Sequence, residues 1–150
     1  MLYDPKFDRR RRKDERKRER AGMLVEQLDR VLWRLNRGWW QGDWYGPIAR
    51  APYGEYTPVC LVAAITLTAQ GSRKHIYDAL ARELPANFVP KKTSRERLVE
   101  FNDAAGSFRY VAWLLIQAQA KAAQIAEEGD QERQALRELA SAEIAHSWGV

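Results

Sequence analysis

The chain has 150 residues, of which 45% are hydrophobic and 30% charged, with a net charge of +5 and one cysteine. That length and apolar content suit one domain with one sizeable core. They leave no room for an intramolecular disulfide or a thiolate-based zinc site, and the longest apolar run, Val59 to Leu67, falls well short of the roughly 20 residues that span a membrane.

The charge is uneven. Residues 9–20 hold nine Lys or Arg against three acids, a net +6, whereas residues 21–150 sum to zero. The expected organisation is therefore a basic N-terminal arm over residues 1–20 and a neutral helical domain over residues 21–150. The start is charged and lacks the apolar stretch of a signal peptide, so the expected location is the cytoplasm.

Asp8 is a plausible N-cap for a helix entering the arginine run, and Leu24, Leu28, Val31, Leu32 and Leu35 recur at helical spacing beyond it. Arg, Lys and Glu favour helix, so arm and stripe read as one helix ended by Gly38. From Gly38 to Pro58 seven glycines and prolines forbid long regular structure, yet the same loop carries Trp39, Trp40, Trp44, Tyr45, Tyr53 and Tyr56. Thr57 as cap and Pro58 at the first position predict a nearly all-apolar helix from Val59 to Gln70, stopped by Gly71.

Ser72 is expected to cap a third helix bearing Ile76, Tyr77, Leu80 and Leu84, closed by Pro85. Thr93 and Glu96 have capping-box spacing for a short helix through Phe101. Asn102 or Asp103 then caps a long segment from Ala104 to Glu128 with Phe108, Val111, Leu115 and Ile116 inward. Gly129 and Asp130 interrupt it, and Gln131 to Ser147 reads as a last amphipathic helix with Leu136, Leu139, Ala140 and Ile144 on one face. No strand alternation or repeat is evident. The fold class is all-α, a single compact bundle of about five helices with an aromatic-rich loop and a basic helical arm.

Arg9, Arg10, Arg11, Arg12, Lys13, Arg16, Lys17, Arg18 and Arg20 are the candidate contacts to nucleic acid or an acidic partner. Dense arginine neutralises phosphates and releases counterions, and Asp14, Glu15 and Glu19 temper that without cancelling it. The competing reading is a solvated helix laced with its own ion pairs. In the loop, Trp40, Trp44 and Tyr45 are candidates for aromatic contact near Arg37 and Arg50; the alternative, applied to Trp39 and Trp44, is that aromatics beside glycines plug a core. Cys60 with His75 or His146 could suggest thiol chemistry, but a lone cysteine inside the most apolar helix behaves as a small hydrophobe. Asp43, Glu55 and Asp103 could converge as carboxylates. Two isolated histidines make no metal site, no phosphate-cradling glycine motif occurs, and no cofactor is implied.

The order Gly38-Trp39-Trp40-Gln41-Gly42, then Cys60-Leu61-Val62-Ala63-Ala64, then Phe101-Asn102-Asp103 resembles a small uncharacterised family of actinobacteria and their phages. Its members carry G-W-x-x-G, C-x-x-G-A and W-N-D motifs. The resemblance covers about residues 24 to 120. Ala63 stands where glycine is common and Phe101 where tryptophan is common, which suggests altered packing rather than lost chemistry. It implies a shared helical scaffold with Trp39, Gly42, Cys60, Asn102 and Asp103 as signature, a host-cytoplasmic setting if phage-encoded, and no known activity.

The leading expectation is a non-enzymatic binding protein whose arm docks on nucleic acid or a nucleoprotein assembly. The second is a phage or actinobacterial protein-interaction module, a host-enzyme inhibitor or virion component, binding through its aromatic loop. The third is an enzyme using loop carboxylates or Cys60.

Overall fold

The first helix, α1, spans Pro5–Asn36, and its start shows how local chemistry places an end. Asp4 caps it, its Oδ1 accepting from the Lys6 N–H at 2.9 Å, and Pro5 takes the first helical position, where a missing N–H costs nothing. Asp8 therefore lies inside the first turn instead of capping it. The computed structural model describes residues 4–42, 57–88 and 92–147, with the side chains of Gly129 and residues 144–147 excepted. Four more helices follow: α2 (Leu61–Thr68), α3 (Arg73–Ala81), α4 (Ser94–Ala104) and α5 (Phe108–Ser147). The fold is all-α, and among the described residues the only extended pairing is an isolated parallel bridge between Trp39 and Val59.

That bridge delays α2. The Val59 N–H donates to Gly38 C=O and the Trp40 N–H to Val59 C=O, both at 3.0 Å, which holds Val59 extended. Cys60, not Thr57, is consequently the N-cap, its Sγ accepting from the Ala63 N–H at 3.4 Å. Thr57 is buried, and its carbonyl accepts from the Arg34 guanidinium at 2.6 Å.

Thr93 caps α4 as expected, accepting from the Glu96 N–H at 3.2 Å. Ser72 occupies the cap position of α3 without a side-chain hydrogen bond. The expected Asn102 or Asp103 cap of the long helix is overturned. Both residues lie in the last turn of α4, and α5 starts only at Phe108, after Ala105 turns extended. Nor do Gly129 and Asp130 interrupt α5, since a glycine costs only about 1 kcal/mol in a helix interior, a small sum against 40 residues of helix.

Contacts divide the chain into two units, residues 24–120 and residues 1–23 with 121–150. The larger unit holds the hydrophobic core. Leu61 to Ile65 of α2 are all buried, surrounded by Leu28, Val31 and Leu35 of α1, Ile76 and Leu80 of α3, Leu98 and Phe101 of α4, and Val111, Leu114 and Leu115 of α5. Each fully buried side chain of this size contributes about 1.5–3 kcal/mol. Phe88 meets Phe101 edge-on at 5.4 Å. Within this unit α1 and α5 run antiparallel: Gln119 donates to Val25 C=O at 3.1 Å, and Trp39, just past α1, lies 6.2 Å from Phe108 at the head of α5.

The inward stripe of α5 is Val111, Leu114, Leu115 and Ala118, so Ile116 falls off it and is 49% exposed. The smaller unit buries Ala21 and Ala122. There Leu136 and Leu139, expected on an inner face, are exposed, because α1 offers Arg, Lys and acids at that level rather than apolar chains. Ile144 lies outside the described side chains. No described helix is long and apolar enough to cross a membrane.

Candidate functional site

Residues 5–20 of the arm are helical, and the helical period sorts their charges. Asp8, Glu15, Arg18 and Gly22 are half-buried and recur along one side of α1. Arg18 donates to Glu132 of α5 on that side. Opposite lie Arg9, Lys13, Arg16 and Arg20, all exposed and repeating at i, i+4, i+7 and i+11. Arg10 and Lys17 flank this stripe on one shoulder and Arg12 on the other. At 3.6 residues per turn these seven bases occupy an arc of about 160° that contains no acid. Glu19, Asp8 and Glu15 follow in turn beyond the Arg12 shoulder, Glu19 about 20° from it, and Asp14 falls about 40° beyond the Arg10 shoulder.

The ion pairs follow this division except at the Arg12 edge. Arg11 reaches Asp8 at 3.6 Å and Glu15 at 3.9 Å, and Arg12 reaches Asp8 at 2.9 Å. Among the described residues no ion pair engages Arg10, Lys13, Arg16 or Lys17. The nine candidate bases thus separate into seven on the arc, of which Arg12 at its edge is also paired with Asp8, and two, Arg11 and Arg18, turned toward the acids behind it.

The second cluster joins the three motif segments inside the larger unit. Asn102 is buried, with 1% of its surface exposed. Its Oδ1 accepts from Trp39 Nε1 at 2.7 Å and from the Leu61 N–H at 3.1 Å, while its Nδ2 donates to Trp40 C=O at 3.0 Å. The Leu61 N–H is one of the donors a helix start leaves unpaired, so Asn102 caps α2 from a distant helix. Gln41 does the reverse for α4: its Nε2 donates to the carbonyls of Asn102, Asp103 and Ala105 at 2.8, 3.1 and 2.5 Å, covering acceptors that the helix end leaves open. Asp103 Oδ1 accepts from the Gly42 N–H at 2.8 Å.

Two glycines make this possible. Gly42 has φ +89°, and a Cβ on Gly38 would lie 2.9 Å from Pro58 Cα. Gln41 went unremarked in the sequence; its place two residues after Trp39 was the signal, but the carbonyls it covers lie more than 60 residues away.

A shallow concavity of about 110 Å³ opens beside this cluster, lined by Gly42, Cys60, Val62, Arg95, Val99, Asn102 and Asp103. Among its polar groups, Asn102, the Gly42 N–H, Asp103 Oδ1 and the Cys60 Sγ are already engaged in the bonds described above. Burial pushes the Cys60 thiol above its ordinary pKa of 9.0; the Ala63 N–H opposes that and the Asp103 charge adds to it. A thiol so held is a poor source of thiolate. His75 is exposed on α3 rather than paired with it.

Trp39 and Trp40 are half-buried by these contacts. Trp44, Tyr45, Arg50, Asp43 and Glu55 lie outside the described residues, as does the side chain of His146. Arg37 sits over Trp33, 3.8 Å from the ring centroid. Sequence reading also passed over three large aromatics of the larger unit that prove exposed: Trp33 (52%), Tyr110 (58%) and Trp113 (46%). Projecting α5 as a helical wheel puts Trp113 opposite the Val111, Leu114 and Leu115 stripe, and that projection was the signal.

The model of a family of unknown function, DUF6197, matches residues 17–121. No curated protein and no solved structure matches the chain.

Proposed function

Because the chain belongs to a family of unknown function, DUF6197, we propose from its own residues that it is a non-enzymatic helical binding protein whose basic arm docks on nucleic acid or a nucleoprotein assembly. The observation that carries this reading is the acid-free arc of exposed bases on α1. An ordinary solvated helix spreads both signs around its surface and pairs them at i, i+4. This helix makes two such pairs, Arg12 with Asp8 and Arg11 with Glu15, yet keeps every acid off an arc of about 160°, an arrangement that raises the local positive potential. The spent polar groups of the motif cluster and the raised thiol of Cys60 favour a scaffold over a catalyst. An actinobacterial or phage origin and a cytoplasmic site of action belong to the same reading.

The test is a salt titration of duplex DNA binding by the intact chain and by a chain beginning at residue 21. With about four to six phosphates neutralised, log K should fall with log salt at a slope of about −4 to −5. Truncation should abolish binding. Equal affinity for the two proteins, or no binding by either at low salt, refutes the reading. A second reading, a protein-interaction module, is favoured by Trp33, Tyr110 and Trp113, since exposed tryptophan and tyrosine are the usual anchors of interfaces.

A further inference from the structure

From the spread of bases around α1, resting on the polyanion reading above, we propose that the arm enters the major groove of double-stranded DNA as a helix, with Arg12 and Arg16 facing one phosphate row and Arg10 and Lys17 the other. Three features of residues 6–20 lead there. The first is width. Arg12 and Arg10 bound an arc of about 160°, with Arg16 and Lys17 inside those margins on either side of a midline that holds Arg9, Lys13 and Arg20, all exposed. Docking against a flat or convex anionic face engages only the midline of a helix, whereas a groove wall on each side engages both margins. A helix of about 10–12 Å diameter matches a major groove about 12 Å wide.

The second feature is what the arc lacks. Phe7 is the only aromatic residue between Lys6 and Arg20, and the helical period puts it behind the arc. Single strands are held without sequence preference by stacking bases on aromatic side chains among basic ones; here the basic surface offers nothing to stack on. Duplex RNA is also disfavoured, because its major groove is deep and too narrow for side chains to read.

The third feature is the back of the same helix. The side that would face away from DNA carries Asp8 and Glu15, half-buried, and Arg18 paired with Glu132 of α5. Residues 121–150 hold six acids against three bases. One side of this unit is therefore attracted to phosphate and its partner helix repelled by it, which favours one orientation of the arm on the duplex.

The experiment compares the full-length protein on a mixed-sequence DNA duplex of about 20 base pairs, two helical turns, on its single strand and on the equivalent duplex RNA. Duplex DNA should bind about tenfold or more tightly than either. Methyl green, a major-groove ligand, should displace the protein, and netropsin, a minor-groove ligand, should not. The variants Arg10→Gln with Lys17→Gln, and Arg12→Gln with Arg16→Gln, should each shallow the salt slope by about two units. An Arg11→Gln control, on the back of the helix, should leave the slope unchanged. Of the residues replaced, only Arg11 and Arg12 give up ion pairs within the arm, to Asp8 and Glu15, and the helix signal in circular dichroism should be the same for every variant.

Equal affinity for duplex and single strand, displacement by netropsin alone, or a slope insensitive to either margin pair would overturn groove entry while leaving the polyanion reading intact. Preference for duplex RNA would overturn it likewise. Failure to bind any nucleic acid at low salt would remove both.

Discussion

Replacing Asn102 by alanine tests the central claim about the motif cluster, that its conspicuous polar residues serve as caps between distant elements. The change removes three hydrogen bonds at once, to Trp39 Nε1, the Leu61 N–H and Trp40 C=O. Leu61 is fully buried, so its N–H finds no water, and an unpaired buried donor costs about 1–3 kcal/mol. Trp39 and Trp40 are half-buried and recover part of their loss from solvent, at about 0.5–1 kcal/mol each.

The expected sum is about 2–5 kcal/mol, a large share of the 5–15 kcal/mol that typically holds a domain folded. Urea unfolding should show a lower midpoint with unchanged slope. Asn102→Asp keeps the shape and the acceptor but loses the donor and buries a charge, so burial should raise its carboxyl pKa. Its deficit relative to the parent should then shrink as pH falls and the carboxyl regains a proton. A loss below about 1 kcal/mol for Asn102→Ala would refute the reasoning. So would a normal stability accompanied by loss of a binding activity, which would make Asn102 a contact residue instead.

Gly38→Ala should cost about 1–3 kcal/mol in chemical denaturation, because the added Cβ meets backbone at Pro58 that cannot rotate away. Gly42→Ala should cost about 1 kcal/mol or more through its positive φ alone. Cys60→Ser should stay within about 1 kcal/mol of the parent, since serine is a better N-cap than the thiol it replaces, and the native thiol should label far more slowly at neutral pH than that of an unfolded control; labelling as fast as the control would contradict its burial.

Asp78 is held below its ordinary pKa of 3.8 by the hydrogen bond from Lys74, at 2.6 Å, and then by that from Ser94, at 2.7 Å. A depressed carboxylate contributes stability above its unfolded pKa and loses it as pH falls through the folded value. The gap in thermal midpoint between the parent and Asp78→Asn should therefore be full at neutral pH and close below about pH 4; a gap independent of pH would remove the ion-pair account.

Much of the architecture was legible because it is local. Helix stripes repeat over a few residues, the Thr93 cap acts three residues away, and the +6 of the arm needs only counting. The same locality explains the failures. Asp103 has the chemistry of a cap and stands before a long helix, but its partner is the Gly42 N–H, 61 residues back, and no pattern within reach of Asp103 announces it. Cys60 caps α2 because Val59 is committed to a bridge with residues 38 and 40.

Gly129 and Asp130 are local stop signals overruled by the continuity of a long helix, and Leu136 and Leu139 form an apolar stripe whose burial depended on what α1 presents opposite them. The identity of the arm as basic was determined by sequence alone. Which bases remain open to a partner was decided only when the folded chain set Glu132 against Arg18 and left the opposite side of α1 uncovered, because a helix acquires an inside and an outside from its neighbours.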